Sequence, residues 1–279
     1  MLLEKVGRNE TQDASLRYAL FMDPDQFATP ERKAYPGCTY CGRTFAEPGE
    51  IAGLRARGDV TALDDARGRQ RTNDHVPSKV LLDDPLPTTL HTVPCCQRCN
   101  NGFSAAERYL ACLLECVLAG DTDANKFTRP KMARIFNEQG SSNIRKIISD
   151  SRMETPDGTF WKSDTQQSHM VLKKMARGHA AVNGFPLLSD PFNFWVLPLE
   201  FLTHEQRNEF EYGISDNRLF PETGSFALDQ IGRAAGRRED WVTVQPGRYR
   251  YSYTVQKACI RVRIVLREYL ACEAAWDHP

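Results

Sequence analysis

Four cysteines in two Cys-x-x-Cys pairs carry the clearest chemical signal in the sequence. Cys38 and Cys41 form the first pair, and Cys96 and Cys99 form the second pair. Two residues between a pair of cysteines let both thiolates face one ion, so each pair supplies half of a tetrahedral sulfur shell. The sequence therefore predicts a structural zinc site. A closed four-sulfur shell leaves no open position for a substrate, so we expect this ion to hold the fold and not to catalyse.

The other cysteines are not expected to bind this ion. Cys95 adjoins Cys96 but has the wrong spacing from Cys99, so it is a bystander unless zinc exchanges between the two neighbours. Cysteine often packs as a small buried hydrophobic residue. This is the expected role of Cys112, Cys116, Cys259 and Cys272.

An acid and a histidine stand side by side between the two cysteine pairs, in the stretch TNDHVPSK. Neighbouring side chains of an extended strand face opposite ways. Asp74 could therefore hold a divalent cation while His75 acts on a water molecule from another direction. Asn100 directly follows Cys99, so the zinc site would fix its position relative to this strand.

These motifs together resemble the HNH endonuclease family, which has a ββα-metal fold and, in this form, a structural zinc. The resemblance covers roughly residues 35–118. It implies that His75 is the general base that activates water. It also implies that Asp74 and Asn100 bind one catalytic Mg²⁺ or Mn²⁺ ion, with Asn101 as the alternative to Asn100.

The sequence departs from the family pattern in two places. His91 stands where the family usually has an asparagine that braces the loop, and an imidazole there could brace, donate a proton or approach the metal. The segment from Cys41 to His75 is longer than in compact members. Its charged, glycine-rich part, residues 47–71, is predicted to be a surface excursion.

The resemblance implies hydrolysis of phosphodiester bonds that leaves a 5′-phosphate and a 3′-hydroxyl. Lys79 is either a phosphate contact or a solvated lysine. Basic residues are concentrated near the C-terminus, where a local patch can bind nucleic acid although the net charge is +0. Four arginines of this stretch either contact phosphate groups or lie on the solvent-exposed face of a sheet. They are Arg248, Arg250, Arg261 and Arg263.

Composition places the chain among globular proteins. Hydrophobic residues make up 41% and charged residues 26%, and no apolar run is long enough to span a membrane. The start of the chain lacks a secretory signal, so we expect a cytoplasmic protein whose nine cysteines are reduced or bind metal.

The chain is expected to have an α+β fold with three parts. Residues 1–30 form a lead-in, residues 31–120 form the zinc-stapled ββα-metal domain, and residues 121–279 form a mixed α/β domain for substrate recognition, regulation or oligomerisation. Ser104 and Glu107 make a capping box, which predicts a helix from there to Gly120. Alternating stretches near the C-terminus predict strands, and REYLACEAAW is expected to prolong the last one.

The predicted function is therefore a metal-dependent endonuclease that acts on DNA, with RNA left open, in a role such as defence against foreign DNA. The alternative is a non-catalytic, zinc-stabilised module that binds nucleic acid or protein. A regulatory partner or a second copy of the chain could bind through the C-terminal part. His169 and His179 are expected to be structural or exposed.

Overall fold

A computed structural model describes residues 36–156, 158–212, 241–256 and 259–277. The predicted lead-in at residues 1–30 lies outside these ranges, and so do Arg233, Arg237 and Arg238, which belong to the basic stretch near the C-terminus. Helices and antiparallel sheets follow one another along the chain, as in an α+β protein. In the described ranges, no helix combines the length and apolar character that a membrane crossing requires.

Most helices precede the large C-terminal group of strands. In chain order, the helices are α1 (Pro48–Arg57), α2 (Val60–Gly68), α3 (Gln97–Ala119), α4 (Pro130–Asn137), α5 (Ser142–Asp150), α6 (Thr165–Val182) and α7 (His204–Tyr212). The strands are β1 (Arg71–Val76), β2 (His91–Cys96), β3 (Arg152–Thr155), β4 (Gly158–Trp161), β5 (Asn193–Pro198), β6 (Trp241–Gln245), β7 (Tyr249–Gln256), β8 (Cys259–Leu266) and β9 (Leu270–Asp277).

Two of these strands and one helix form the unit around the cysteines. Strands β1 and β2 pair antiparallel, from Arg71 opposite Cys96 to Val76 opposite His91. Helix α3 starts immediately after β2, so the order is strand, strand, helix. The predicted excursion before β1 folds as α1 and α2, in which only Leu54 and Ala66 are buried.

Helix α3 begins earlier than its predicted capping box. Cys96 is the N-terminal cap, and its Sγ accepts a hydrogen bond from the Cys99 backbone N–H at 3.4 Å. The prediction of a start at Ser104 was wrong, because the Cys96 sulfur caps the helix about two turns before that residue. The Glu107 carboxylate does not cap the helix but accepts a hydrogen bond from Ser78 Oγ at 2.6 Å. The end at Gly120 is confirmed, with a left-handed φ of 66°.

The C-terminal region contains a five-stranded antiparallel sheet in the order β5-β9-β8-β7-β6. The sequence predicted that REYLACEAAW prolongs the preceding strand. This prediction was wrong. Arg267 and Glu268 adopt left-handed φ values of 58° and 48°, and the chain reverses there. As a result, β9 pairs back on β8, with Ile264 opposite Cys272.

The largest hydrophobic cluster joins α3, α4 and α6 to one face of this sheet. Leu110 and Leu113 of α3, Leu172 and Met175 of α6, and Ile264 of β8 all belong to it. This packing crosses residue 121, and the division of the chain at that residue stays a prediction. A smaller cluster covers the opposite face of the sheet, where Phe210 of α7 packs beside Val265.

Gly178 of α6 lies against the β1–β2 hairpin. A Cβ atom at this position would meet Val76 Cγ2 at 2.7 Å. We expect Gly178→Ala to lower the free energy of unfolding by about 1–3 kcal/mol through overpacking. Gly102→Ala in α3, where nothing lies within 4 Å of the added atom, should instead raise it by about 0.5–1 kcal/mol through helix propensity. Urea unfolding of both variants checks this, and equal effects would contradict the close approach of α6.

His179 is buried in the core, in agreement with the structural role expected for it. Its Nε2 lies 2.7 Å from Tyr249 Oη, and its ring stacks on Tyr251 with centroids 3.6 Å apart. Burial lowers the pKa of His179 to about 3 from an ordinary value of 6.5. The imidazole is therefore neutral in the folded chain and accepts a proton only after unfolding.

This linkage predicts acid lability. The contribution of His179 to stability is complete above pH 6.5 and is lost as the pH falls toward about 3. We expect the wild type to lose about 3 kcal/mol more unfolding free energy than His179→Gln between pH 7 and pH 4, at about 1.4 kcal/mol per pH unit. Parallel pH profiles of the two proteins would contradict the neutral buried imidazole.

Candidate metal centre and adjoining carboxylate network

The four predicted cysteines converge on one point. The sulfurs of Cys38, Cys41, Cys96 and Cys99 all lie within 4.8 Å of one another. Zinc–sulfur bonds of about 2.3 Å in a tetrahedron place sulfurs about 3.8 Å apart. Cys41 Sγ and Cys96 Sγ are separated by this distance, 3.8 Å. The group could therefore hold a structural zinc ion.

A tight backbone turn positions Cys38 and Cys41, the first two cysteines of this group. Gly42 adopts a left-handed φ of 72°, and its N–H donates to the Cys38 carbonyl at 2.9 Å. The resulting turn brings the first two cysteines together. Thr39 connects the turn to β2, because its N–H and its hydroxyl both donate to the Pro94 carbonyl, at 3.0 and 2.8 Å.

The four sulfurs influence one another's protonation. Hydrogen bonds from Cys95 and Cys99 hold the pKa of Cys38 far below its ordinary value. The hydrogen bond to Cys38, followed by burial, raises the pKa of Cys99. Crowded sulfurs thus favour one thiolate among neutral thiols, whereas a bound divalent ion holds all of its ligands deprotonated.

Cys95 lies beside the group but is not part of it. It is fully buried, and its Sγ donates to the Cys96 carbonyl at 3.3 Å. Its hydrogen bond to Cys38 raises its own pKa. Cys95 is not one of the four cysteines whose sulfurs converge, in agreement with its spacing. Cys112, Cys116 and Cys272 are buried as well, and Cys259 is half-buried.

Arginines surround the open side of the four-cysteine group. A cavity of about 90 Å³ is lined by Arg43, Arg69 and Arg98 together with three of the four cysteines. Asp65 pairs with all three guanidinium groups, at 3.4, 2.9 and 3.3 Å. Zinc with four thiolates carries a charge of −2, so cations at this position would offset it.

The predicted catalytic residues lie on two faces of the hairpin. Side chains two residues apart share a face of a strand. Asp74 is buried and shares its face with Thr72, whose Oγ1 accepts from Asn100 Nδ2 at 3.2 Å. Asp74 and Asn100 are therefore on the same side of β1. His75 lies half-buried on the other side.

His91 is on the same face as Asp74 and not on that of His75. It is directly opposite Val76 in the β1–β2 register, and it is exposed. Lys79 is also exposed, in the short 3₁₀ turn after β1. Burial, followed by repulsion from Lys79, lowers the pKa of His75.

Within the described ranges, Asp74 and Asn100 each have one side-chain oxygen without a hydrogen-bond donor. Asp74 Oδ2 accepts from Tyr40 Oη at 2.5 Å and pairs with Lys174 Nζ at 2.7 Å. Among the described residues, no hydrogen-bond donor contacts Asp74 Oδ1 or Asn100 Oδ1. One carboxylate oxygen and one amide oxygen, the ligand types that Mg²⁺ and Mn²⁺ prefer, are therefore uncommitted.

Sequence reasoning missed the network that holds Asp74. Lys174 of α6 contacts Asp74, Ser78 and Glu107, and Tyr40 completes the group. A signal for it was present: Lys174 lies between Val171, Met175 and Gly178 on the helix, so a charged residue interrupts an apolar stripe.

The four C-terminal arginines are engaged within the protein. Arg250 is buried and makes two hydrogen bonds of 2.8 Å to the Glu211 carboxylate, and Arg263 is buried and pairs with Glu273 at 2.8 Å. Arg248 is half-buried and pairs with Asp83, while Arg261 lies 3.9 Å from Glu273. Tyr249 and Tyr251 are core residues and are not available to stack on bases.

Comparisons of the chain with protein-family models, with curated proteins and with solved structures gave no match. The geometry of the site itself therefore carries the functional argument.

A pair of cysteine variants tests the metal centre. We expect Cys99→Ala to lose zinc and to melt at a lower temperature, because three sulfurs no longer close the shell. Cys95→Ala should keep about one zinc ion per chain and lose only packing energy, about 1 kcal/mol. Metal analysis by mass spectrometry and thermal melting give the two readouts. Equal zinc contents in the two variants would contradict the assignment of Cys99 as a ligand and Cys95 as a bystander.

Proposed function

We propose that this protein is an HNH-type endonuclease that hydrolyses phosphodiester bonds in DNA. The observation that carries the proposal is the placement of an aspartate and an asparagine on one face of a strand-strand-helix unit, next to a four-cysteine group. Asp74 comes from β1 and Asn100 from the first turn of α3. The cysteine group includes Cys96, opposite Arg71 of β1, and Cys99, which lies one residue before Asn100.

Asp74 and Asn100 would hold a Mg²⁺ or Mn²⁺ ion through their uncommitted oxygens. When bound, such an ion polarises the phosphodiester and stabilises the charge on the departing oxygen. Tyr40 and Lys174 fix the Asp74 carboxylate by holding its other oxygen. A carboxylate whose orientation is fixed in this way loses little freedom when it binds a cation.

His75 is the proposed general base. It would accept a proton from the water molecule that attacks the phosphorus. Its face of β1 also carries Arg71 and Asn73, both exposed, and Lys79 is exposed just beyond the strand. Two cations beside a half-buried imidazole suit a surface that approaches a phosphate backbone.

One observation favours a second candidate, a non-catalytic zinc-stabilised module that binds nucleic acid or protein. The Asp74 carboxylate is only 7% exposed and already has a cationic partner. A buried aspartate with this environment needs no further cation to be stable. Tight binding of DNA without any product in Mg²⁺, Mn²⁺ or Ni²⁺ would support this candidate.

A histidine substitution tests the catalytic proposal. We expect His75→Ala to lower the rate of plasmid cleavage by about 10²–10⁴-fold, the usual contribution of a general base. His204→Ala, at an exposed histidine of α7, should cleave at the wild-type rate. Supercoiled, linear and single-stranded substrates are compared by gel in Mg²⁺ and in Mn²⁺. Undiminished cleavage by His75→Ala would remove the proposed mechanism.

A further inference from the structure

A single buried ammonium group lies between two carboxylates at the proposed site. Lys174 is 2% exposed, and its Nζ contacts Asp74 Oδ2 at 2.7 Å, Ser78 Oγ at 2.9 Å and the Glu107 carboxylate. The rings of Tyr40 and Phe103 lie 5.7 and 5.5 Å from the same nitrogen. Charged, polar and aromatic partners thus surround the ammonium.

The partners of Lys174 come from several segments of the chain. Asp74 belongs to β1, Ser78 follows that strand, and Glu107 belongs to α3. Lys174 itself belongs to α6, which lies outside the strand-strand-helix unit. Burial of a charge is costly unless it is paired, so Asp74 and Glu107 both gain from this lysine.

The ammonium occupies space that a divalent ion would also favour. It blocks Oδ2, so Asp74 cannot bind a metal ion through both oxygens. A positive charge this close to the carboxylate also repels a second cation at Oδ1, and this repulsion is weakly screened because the groups are buried.

We propose that Lys174 is a built-in competitor of the divalent ion, which keeps the affinity of Asp74 for that ion low. The proposal rests on the proposed function, because it takes Asp74 as a ligand of the catalytic ion.

The close docking of α6 against the hairpin holds the ammonium at the Asp74 carboxylate. At Gly178, one helical turn after Lys174, an added Cβ would lie 2.7 Å from Val76 Cγ2 and 3.4 Å from Tyr40 Oη. The helix therefore contacts the residue two positions after Asp74 and the tyrosine that holds Asp74.

The test is a Mn²⁺ titration of the full-length, zinc-loaded chain, followed by electron paramagnetic resonance of free Mn²⁺. We expect Lys174→Met to bind Mn²⁺ at least tenfold more tightly than the wild type. Lys173→Met is the matched control, because it removes the same charge from the neighbouring residue, which pairs with Asp190 at the surface. Its affinity should stay within twofold of the wild type. Equal or weaker binding by Lys174→Met would overturn the proposal.

Two further variants keep the test decisive. Lys174→Arg retains the positive charge and should keep the low affinity of the wild type. If Lys174→Met alone does not fold, Lys174→Met with Glu107→Gln removes one charge of each sign, and it should bind Mn²⁺ at least tenfold more tightly than Glu107→Gln alone. Equal affinities of that pair would overturn the proposal.

The binding result is independent of cleavage. Adding Asp74→Asn to Lys174→Met should abolish the gain in Mn²⁺ affinity, and a gain that persists would overturn the assignment to Asp74. If the gain depends on Asp74 but the wild type cleaves no nucleic acid, the competitor role stands and the proposed nuclease function fails.

Discussion

The convergence of four sulfurs is the constraint on which the rest of the site depends. It joins the turn at Cys38 and Cys41 to the end of β2 and the first turn of α3, across 55 residues of chain. The intervening α1 and α2 bury little, so packing alone gives this junction weak support. A metal ion held at this point would close a long loop and fix the register between strand and helix. The positions of Asp74 and Asn100 follow from that register.

A second constraint is electrostatic and comes from the C-terminal half of the chain. Lys174 neutralises carboxylates of β1 and α3, so the strand-strand-helix unit is completed by a helix far away in sequence. A buried ion pair of this kind adds less stability than its distances suggest, because both charges lose their hydration. Its main effect is on orientation. It fixes one oxygen of Asp74 and so decides which oxygen faces other ligands.

The sheet arginines show why a basic stretch of sequence does not by itself make a nucleic-acid surface. Arg250 and Arg263 alternate with core residues along their strands, as the pattern predicted. The face on which they lie is not exposed to solvent, because α7 and the turn after β8 cover it. These two segments supply Glu211 and Glu268, which pair with Arg250. Pairing partners from distant segments decide whether a cation is available, and a linear count of charges does not contain them.

The sequence by itself determined the four-cysteine group, the α+β composition, the end of α3 at Gly120 and the alternating strands β7 and β8, because spacing and periodicity are local properties. It misplaced the start of α3 and merged β8 with β9, because a sulfur cap and two left-handed residues leave no clear local pattern. Only the tertiary structure decided that Asp74 meets Lys174. That contact depends on the close packing of two segments a hundred residues apart, which no local pattern encodes.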